Sequence, residues 1–139
     1  MTQENKELLL IDLCSRLPYD VKVQFSYVIT SPAILKGIDK ELIECDIAVC
    51  ELEDVKPYLF PLSSMTEEQY NSLHESGILD NCSHSYEYVN PHIHGVSFIF
   101  KEFKTYSLEL IEWLNKNHFD YRGLIPLGLA KDATNLNIY

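Results

Sequence analysis

Asp20-Val21-Lys22-Val23-Gln24-Phe25-Ser26-Tyr27-Val28-Ile29 alternates polar and apolar side chains from its first residue to Tyr27. Successive side chains of a strand point to opposite faces, so this period of two predicts a half-buried strand with Val21, Val23, Phe25 and Tyr27 turned to a core. A strand wet on one face belongs in an antiparallel sheet, because parallel strands are covered on both sides. Working back from it, Pro18 closes a helical stretch from about Gln3 to Arg16. Thr2 is suited to cap that helix, Glu4 and Glu7 suit its positive end, and Arg16 suits its negative end. Leu10, Leu13, Cys14 and Leu17 keep helical spacing, with Leu8, Leu9 and Ile11 widening the apolar face.

Working forward, Thr30-Ser31-Pro32 and Gly37-Ile38-Asp39 carry turn chemistry around a short strand at Ala33 to Leu35. Alternation returns from Leu42 to Leu52. Read as one strand, it puts Ile43, Cys45, Ile47, Val49 and Glu51 on the core side and Leu42, Glu44, Asp46, Ala48 and Cys50 on the other. Pro57 and Pro61 bracket Lys56 to Pro61 and argue for an edge strand or extended connector. Thr66-Glu67-Glu68-Gln69 is a capping box, so a helix begins at Glu67 and ends near Ser76, with Gly77 free to take positive φ. Ile78 to His94 lacks a period and reads as loop. Val96 to Phe103 reads as the last strand, and Ser107 to about Asn117 as a helix whose apolar line is Leu108, Ile111 and Leu114, broadened by Leu110 and Trp113. Gly123, Pro126 and Gly128 break the remaining chain, whose Leu124, Ile125, Leu127 and Leu129 dock on the core.

With 139 residues, 46% hydrophobic and 23% charged, the chain has the size of one domain. The expected fold is α+β: a single globular domain over residues 1–139, an antiparallel β-sheet of about four strands, and two or three helices packed on one face. The polar opening residues and the four-residue apolar run Leu8 to Ile11 fit no signal peptide, and no window reaches the ~18 apolar residues of a membrane span. A cytoplasmic location and reduced, mostly buried Cys14, Cys45, Cys50 and Cys82 follow as expectations.

Leu9 to Tyr19 (LLIDLCSRLPY), Lys56 to Gln69 (KPYLFPLSSMTEEQ) and Ile111 to Ile125 (IEWLNKNHFDYRGLI) resemble a family of short uncharacterised proteins from gut anaerobic bacteria. The resemblance spans most of the chain. It implies an accessory role near phage-like or mobile regions, and carries no activity, ligand or catalytic residue with it.

The net charge of −10 repels phosphate backbones and anionic lipid, so neither direct nucleic-acid nor membrane binding is expected. That charge sits in the middle of the chain. Residues 39–68 hold nine acids against Lys40 and Lys56, whereas residues 1–38 and 101–139 balance. Glu44, Asp46, Glu51, Glu53, Asp54, Glu67 and Glu68 are therefore the candidate interaction face, steering a basic protein partner. Strand parity places Glu44 with Asp46 and apart from Glu51.

Cys82, His84, His92 and His94 are the one cluster with metal-ligand composition, each pair on one side of an extended segment. Neither pair has a common zinc-site spacing, and solvated loop histidines are the plainer reading. His118 and Asp120 bring a base and a carboxylate just past a helix end, where the plainer reading is anchoring of the loop. No P-loop, Gly-x-Gly-x-x-Gly, His-Glu-x-x-His or Gly-x-Ser-x-Gly is present. The sequence thus points to a non-enzymatic acidic protein that binds another protein and needs no cofactor. The alternatives are a metal-binding or enzymatic protein using His92/His94 or His118/Asp120, and an inhibitor that mimics nucleic acid to occupy a basic groove.

Overall fold

The computed structural model describes residues 1–80, 82–89 and 97–139. In chain order the elements are α1 (Gln3–Arg16), β1 (Lys22–Phe25), β2 (Val28–Asp39), β3 (Leu42–Cys45), β4 (Val49–Glu51), β5 (Val55–Pro61), α2 (Glu67–Glu75), β6 (His84–Val89), β7 (Ser97–Phe103), α3 (Leu108–Lys116), β8 (Phe119–Asp120) and β9 (Lys131–Asp132). Contacts gather these into two compact units, residues 1–59 with 122–139, and residues 60–121.

In the first unit the strand order is β4-β3-β2-β1-β5, all antiparallel, with β9 added parallel to β5. Val21, Val23 and Phe25 are buried as the alternation requires, but the strand stops there: Ser26 and Tyr27 turn the chain back, and Phe25 faces Val28. Tyr27 is consequently exposed rather than a core residue. The expected breaks at Thr30 to Pro32 and Gly37 to Asp39 do not occur, since β2 runs unbroken through both. Irregular register against β1 between Val23 and Phe25 leaves Pro32 without a ladder partner on that side, so its missing N–H costs nothing there.

The prolines of β5 mislead in the same way. Far from being an edge, β5 pairs with β1 on one side, where Pro57 faces Val23, and on the other side pairing begins only at Tyr58, after Pro57 has passed. Helix α1 starts at its Thr2 cap, whose hydroxyl accepts the Asn5 N–H. Its buried stripe is Leu9, Asp12, Leu13 and Arg16, so the core-facing line carries two charged residues and Cys14 is exposed. Tyr139 fastens two strands, its hydroxyl accepting from the Lys22 N–H at 3.0 Å and donating to the Tyr58 carbonyl at 2.8 Å.

Cys45 and Cys50 lie in this core, and burial pushes their thiols up to about 12 and about 11. Alkylation of native protein at pH 8 is expected to label exposed Cys14 and to spare Cys45 and Cys50 until denaturant is added. Because the folded state holds these protons more tightly than the unfolded chain, stability is complete below the ordinary thiol value near 9. It falls as pH rises from there through about 11 to 12. Labelling of either buried thiol at the Cys14 rate in native protein would contradict this burial.

In the second unit, Thr66 and Gln69 form the expected capping box of α2, and Gly77 follows with φ of 76°. The stretch expected as loop contains β6, which pairs antiparallel with β7 as a two-stranded ribbon. The expected last strand therefore has its partner in the supposed loop. Phe60 and Pro61, the end of β5, pair parallel with β8. Instead of about four antiparallel strands, the β5-linked sheet has seven strands and is mixed, because β8 and β9 are short parallel additions that no periodicity could announce. Helix α3, capped by Ser107, buries Leu110 and Leu114; of the expected line Leu114 is in the core, Ile111 is half-buried and Leu108 is 68% exposed, so the core face is centred on Leu110 and Leu114. Leu110 and Leu114 pack with Met65, Leu73, Leu79, Phe103 and Phe119, whereas Phe25 belongs to the first unit's cluster.

Candidate interaction face on the β3–β4 hairpin

Cys45 N–H donates to the Ala48 carbonyl, closing a tight turn at Asp46 to Ala48 that folds the supposed single strand into a hairpin. Everything after the turn changes face. Ile43 and Cys50 are opposite one another and buried, while Leu42 faces Glu51 and Glu44 faces Val49 on the outer side. Glu51 therefore shares a face with Glu44, contrary to the parity of an unbroken strand. Leu42 is 49% exposed and Val49 63% exposed, and Ile47 at the turn is exposed as well.

In an antiparallel pair, residues on the diagonal lie within reach of long side chains. The outer face thus has Leu42 and Val49 on one diagonal and Glu44 and Glu51 on the other. Gly37 of β2 faces Glu44, and a Cβ added at Gly37 would stand 3.1 Å from the Glu44 carboxylate oxygen. The glycine lets the glutamate lie flat across β2 and keeps the face shallow. β4 is the outermost strand of the first unit's sheet order, next only to β3.

The other acids expected on this face do different work. The Asp46 carboxylate accepts the Ile34 N–H at 2.8 Å and helps fix β2 against the hairpin turn. Glu53 pairs with Lys6 at 2.6 Å, which lowers the Glu53 carboxyl and raises the Lys6 ammonium. Asp54 accepts the Tyr27 hydroxyl, and that bond pushes the Tyr27 phenol up to about 12. Glu67 and Glu68 form the first turn of α2, in the second unit, where they complement the helix dipole. Glu44 and Glu51 remain as the two acids on an exposed strand face, joined by apolar neighbours that charge counting along the sequence overlooked. A hairpin signal at Asp46 to Ala48 would have found them.

Of the metal candidates, Cys82 directs its thiol to the Ile78 carbonyl at 3.5 Å and to the Ser107 hydroxyl at 3.7 Å. His84 places Nε2 3.1 Å from the Tyr70 hydroxyl, among the rings of Tyr70 and Phe103. His92 and His94 lie outside the described residues, and among the described residues no three His, Cys, Asp or Glu side chains stand together as a metal site. His118 follows α3 with φ of 60°, and its carbonyl accepts the Phe60 N–H at 2.9 Å, a strand-joining role. Asp120 is buried in β8. No helix among the described residues is long and apolar enough to cross a membrane.

Sequence chemistry missed one site entirely. Asp12 accepts from Arg16 Nε at 2.7 Å on Oδ2 and from Nη2 at 3.0 Å on Oδ1, and Arg122 Nε lies 3.4 Å from that same Oδ1. Arg122 also donates to the Ser15 hydroxyl at 3.1 Å. The signal was present as Asp and Arg four residues apart on a leucine stripe. Taken together, the fold and its surface define an α+β protein whose β3–β4 hairpin presents an outward acidic and apolar face. No protein-family model, curated protein or solved structure matches the chain.

Proposed function

We propose that the protein is a non-enzymatic binding protein that holds a basic segment of a protein partner on the outer face of the β3–β4 hairpin. The observation that supports this reading is the crossing of two diagonals, Leu42 with Val49 and Glu44 with Glu51, on an uncovered strand pair. Acids alone serve solubility. Solubility gives no reason to leave Leu42, Ile47 and Val49 uncovered beside them, whereas an interface core uses apolar anchors and a charged rim to set register and encounter rate. The matching partner alternates apolar and basic side chains. Its setting, on the resemblance of Leu9 to Tyr19 and the two later blocks, is an accessory role beside mobile elements.

A peptide alternating leucine and lysine is the direct probe, with one alternating leucine and glutamate as its control. Replacing Leu42 and Val49 together by Asp is expected to weaken the lysine peptide at least about tenfold, the equivalent of ~1.4 kcal/mol. Glu44→Lys with Glu51→Lys should weaken it comparably and flatten its salt dependence. Glu67→Lys with Glu68→Lys changes the net charge equally and should leave binding as it was. Equal loss in all three variants, or equal binding of both peptides, would refute a defined face.

A further inference from the structure

Lys56 of β5 faces Gln24 of β1, and Lys131 of β9 pairs with Tyr58, two residues along β5. Since Val55, Pro57 and Leu59 of β5 are buried, Gln24, Lys56 and Lys131 project from the opposite, outer face of three neighbouring strands. With Ser26 and Asp54 they line an open cleft of about 280 Å³ within the first unit. Acids outnumber bases in this unit, and Lys6, Arg16, Lys36 and Arg122 each meet a carboxylate. Lys56 and Lys131 meet none among the described residues. The single carboxylate in the cleft, Asp54, accepts the Tyr27 hydroxyl, and two ammonium groups against this one carboxylate leave the cleft net positive.

We propose that this cleft binds the phosphate group of a small phosphomonoester. The two ammonium groups can each pair with a different oxygen of a phosphate dianion, which offers more charge and more acceptor oxygens than a carboxylate, and the Gln24 amide supplies neutral donors beside them. The volume lies just below the ~300 to 1,000 Å³ usual for pockets that enclose drug-sized ligands, so a short phosphorylated molecule fits it. The site is independent of the hairpin face, whose outer residues Leu42, Glu44, Val49 and Glu51 do not line it.

Inorganic phosphate titrated at constant ionic strength, followed by amide chemical shifts of Ser26, Lys56 and Lys131, tests this directly. Saturable shifts confined to these strands are expected, with acetate at least about tenfold weaker, a difference of ~1.4 kcal/mol. Lys56→Gln and Lys131→Gln should each weaken phosphate about tenfold, while Lys36→Gln, which removes an exposed lysine paired with Asp20, leaves it unchanged. Asp54→Asn removes the one opposing charge and should strengthen it. Non-saturating shifts, equal response to acetate and phosphate, or indifference to the Lys56 and Lys131 substitutions would overturn the site. A Leu42→Asp, Val49→Asp protein that loses the lysine peptide yet keeps phosphate separates the two proposals.

Discussion

Asp12→Ala is expected to cost about 3 to 5 kcal/mol of folding stability, the loss seen when one partner of a buried ion pair is removed. Asp12 and Arg16 are both 0% exposed, so neither charge has solvent to fall back on. The carboxylate accepts two hydrogen bonds from Arg16 and lies in ion-pair range of Arg122, and through Arg122 the segment after β8 is tied to α1. Removing it takes the facing carboxylate from a buried guanidinium that stays charged at any accessible pH. Chemical denaturation followed by circular dichroism, with alkylation of Cys45 and Cys50 as a reporter of the same unit, would measure the loss. The cause is separable from mere loss of volume: Asp12→Leu with Arg16→Met replaces both charges by apolar groups and should recover most of the stability, as buried pairs exchanged for packed side chains often do. A cost below about 1 kcal/mol for Asp12→Ala, or a double variant no better than the single, would mean that the pair compensates nothing.

The reading of Arg16 shows why part of the fold was legible and part was not. Helix α1, the Thr66 capping box, Gly77 and the Val21, Val23, Phe25 face rest on rules that act within a few residues, and each stands in the structure. The helix dipole accounts for Arg16 by a local rule, while its actual partner, the core-facing Asp12, shares its stripe with leucines. Pro32 and Pro57 misled for the opposite reason. Their cost depends on which edge of the strand needs a donor, and that is settled by partners distant in sequence, β1 for Pro32 and β9 for Pro57. The hairpin at Asp46 to Ala48 carries no Gly or Asn to announce it, so one turn inverts the faces of Val49, Cys50 and Glu51 and hides from the sequence that Glu44 and Glu51 share a face. Among the candidate site residues, composition picked out the acids; only the register of β3 on β4 could say which two share a face.

Phe119→Ala is the second large effect, and it tests the face assigned to α3. Phe119 is 1% exposed, stacks on Trp113 with ring centroids 5.7 Å apart and planes 9° off parallel, and tilts against Phe60 at 6.2 Å. Truncating a buried phenylalanine costs about 3 to 5 kcal/mol, transfer and cavity together, and the lost stacking falls within that sum. Trp113 is the sole tryptophan, so its emission reports this unit directly. Two results are expected from one titration: a lower denaturation midpoint with an unchanged slope, and redder emission from the folded protein as water reaches the indole face that Phe119 covers. Leu108→Ala is the matched control, because a helix line through Leu108 would make it as costly as Leu110→Ala. With its side chain in solvent it should fall within about 0.5 kcal/mol of the parent. Comparable losses at Leu108 and Leu110, or Trp113 emission indifferent to Phe119→Ala, would rotate α3 about its axis and place a different set of residues in the core.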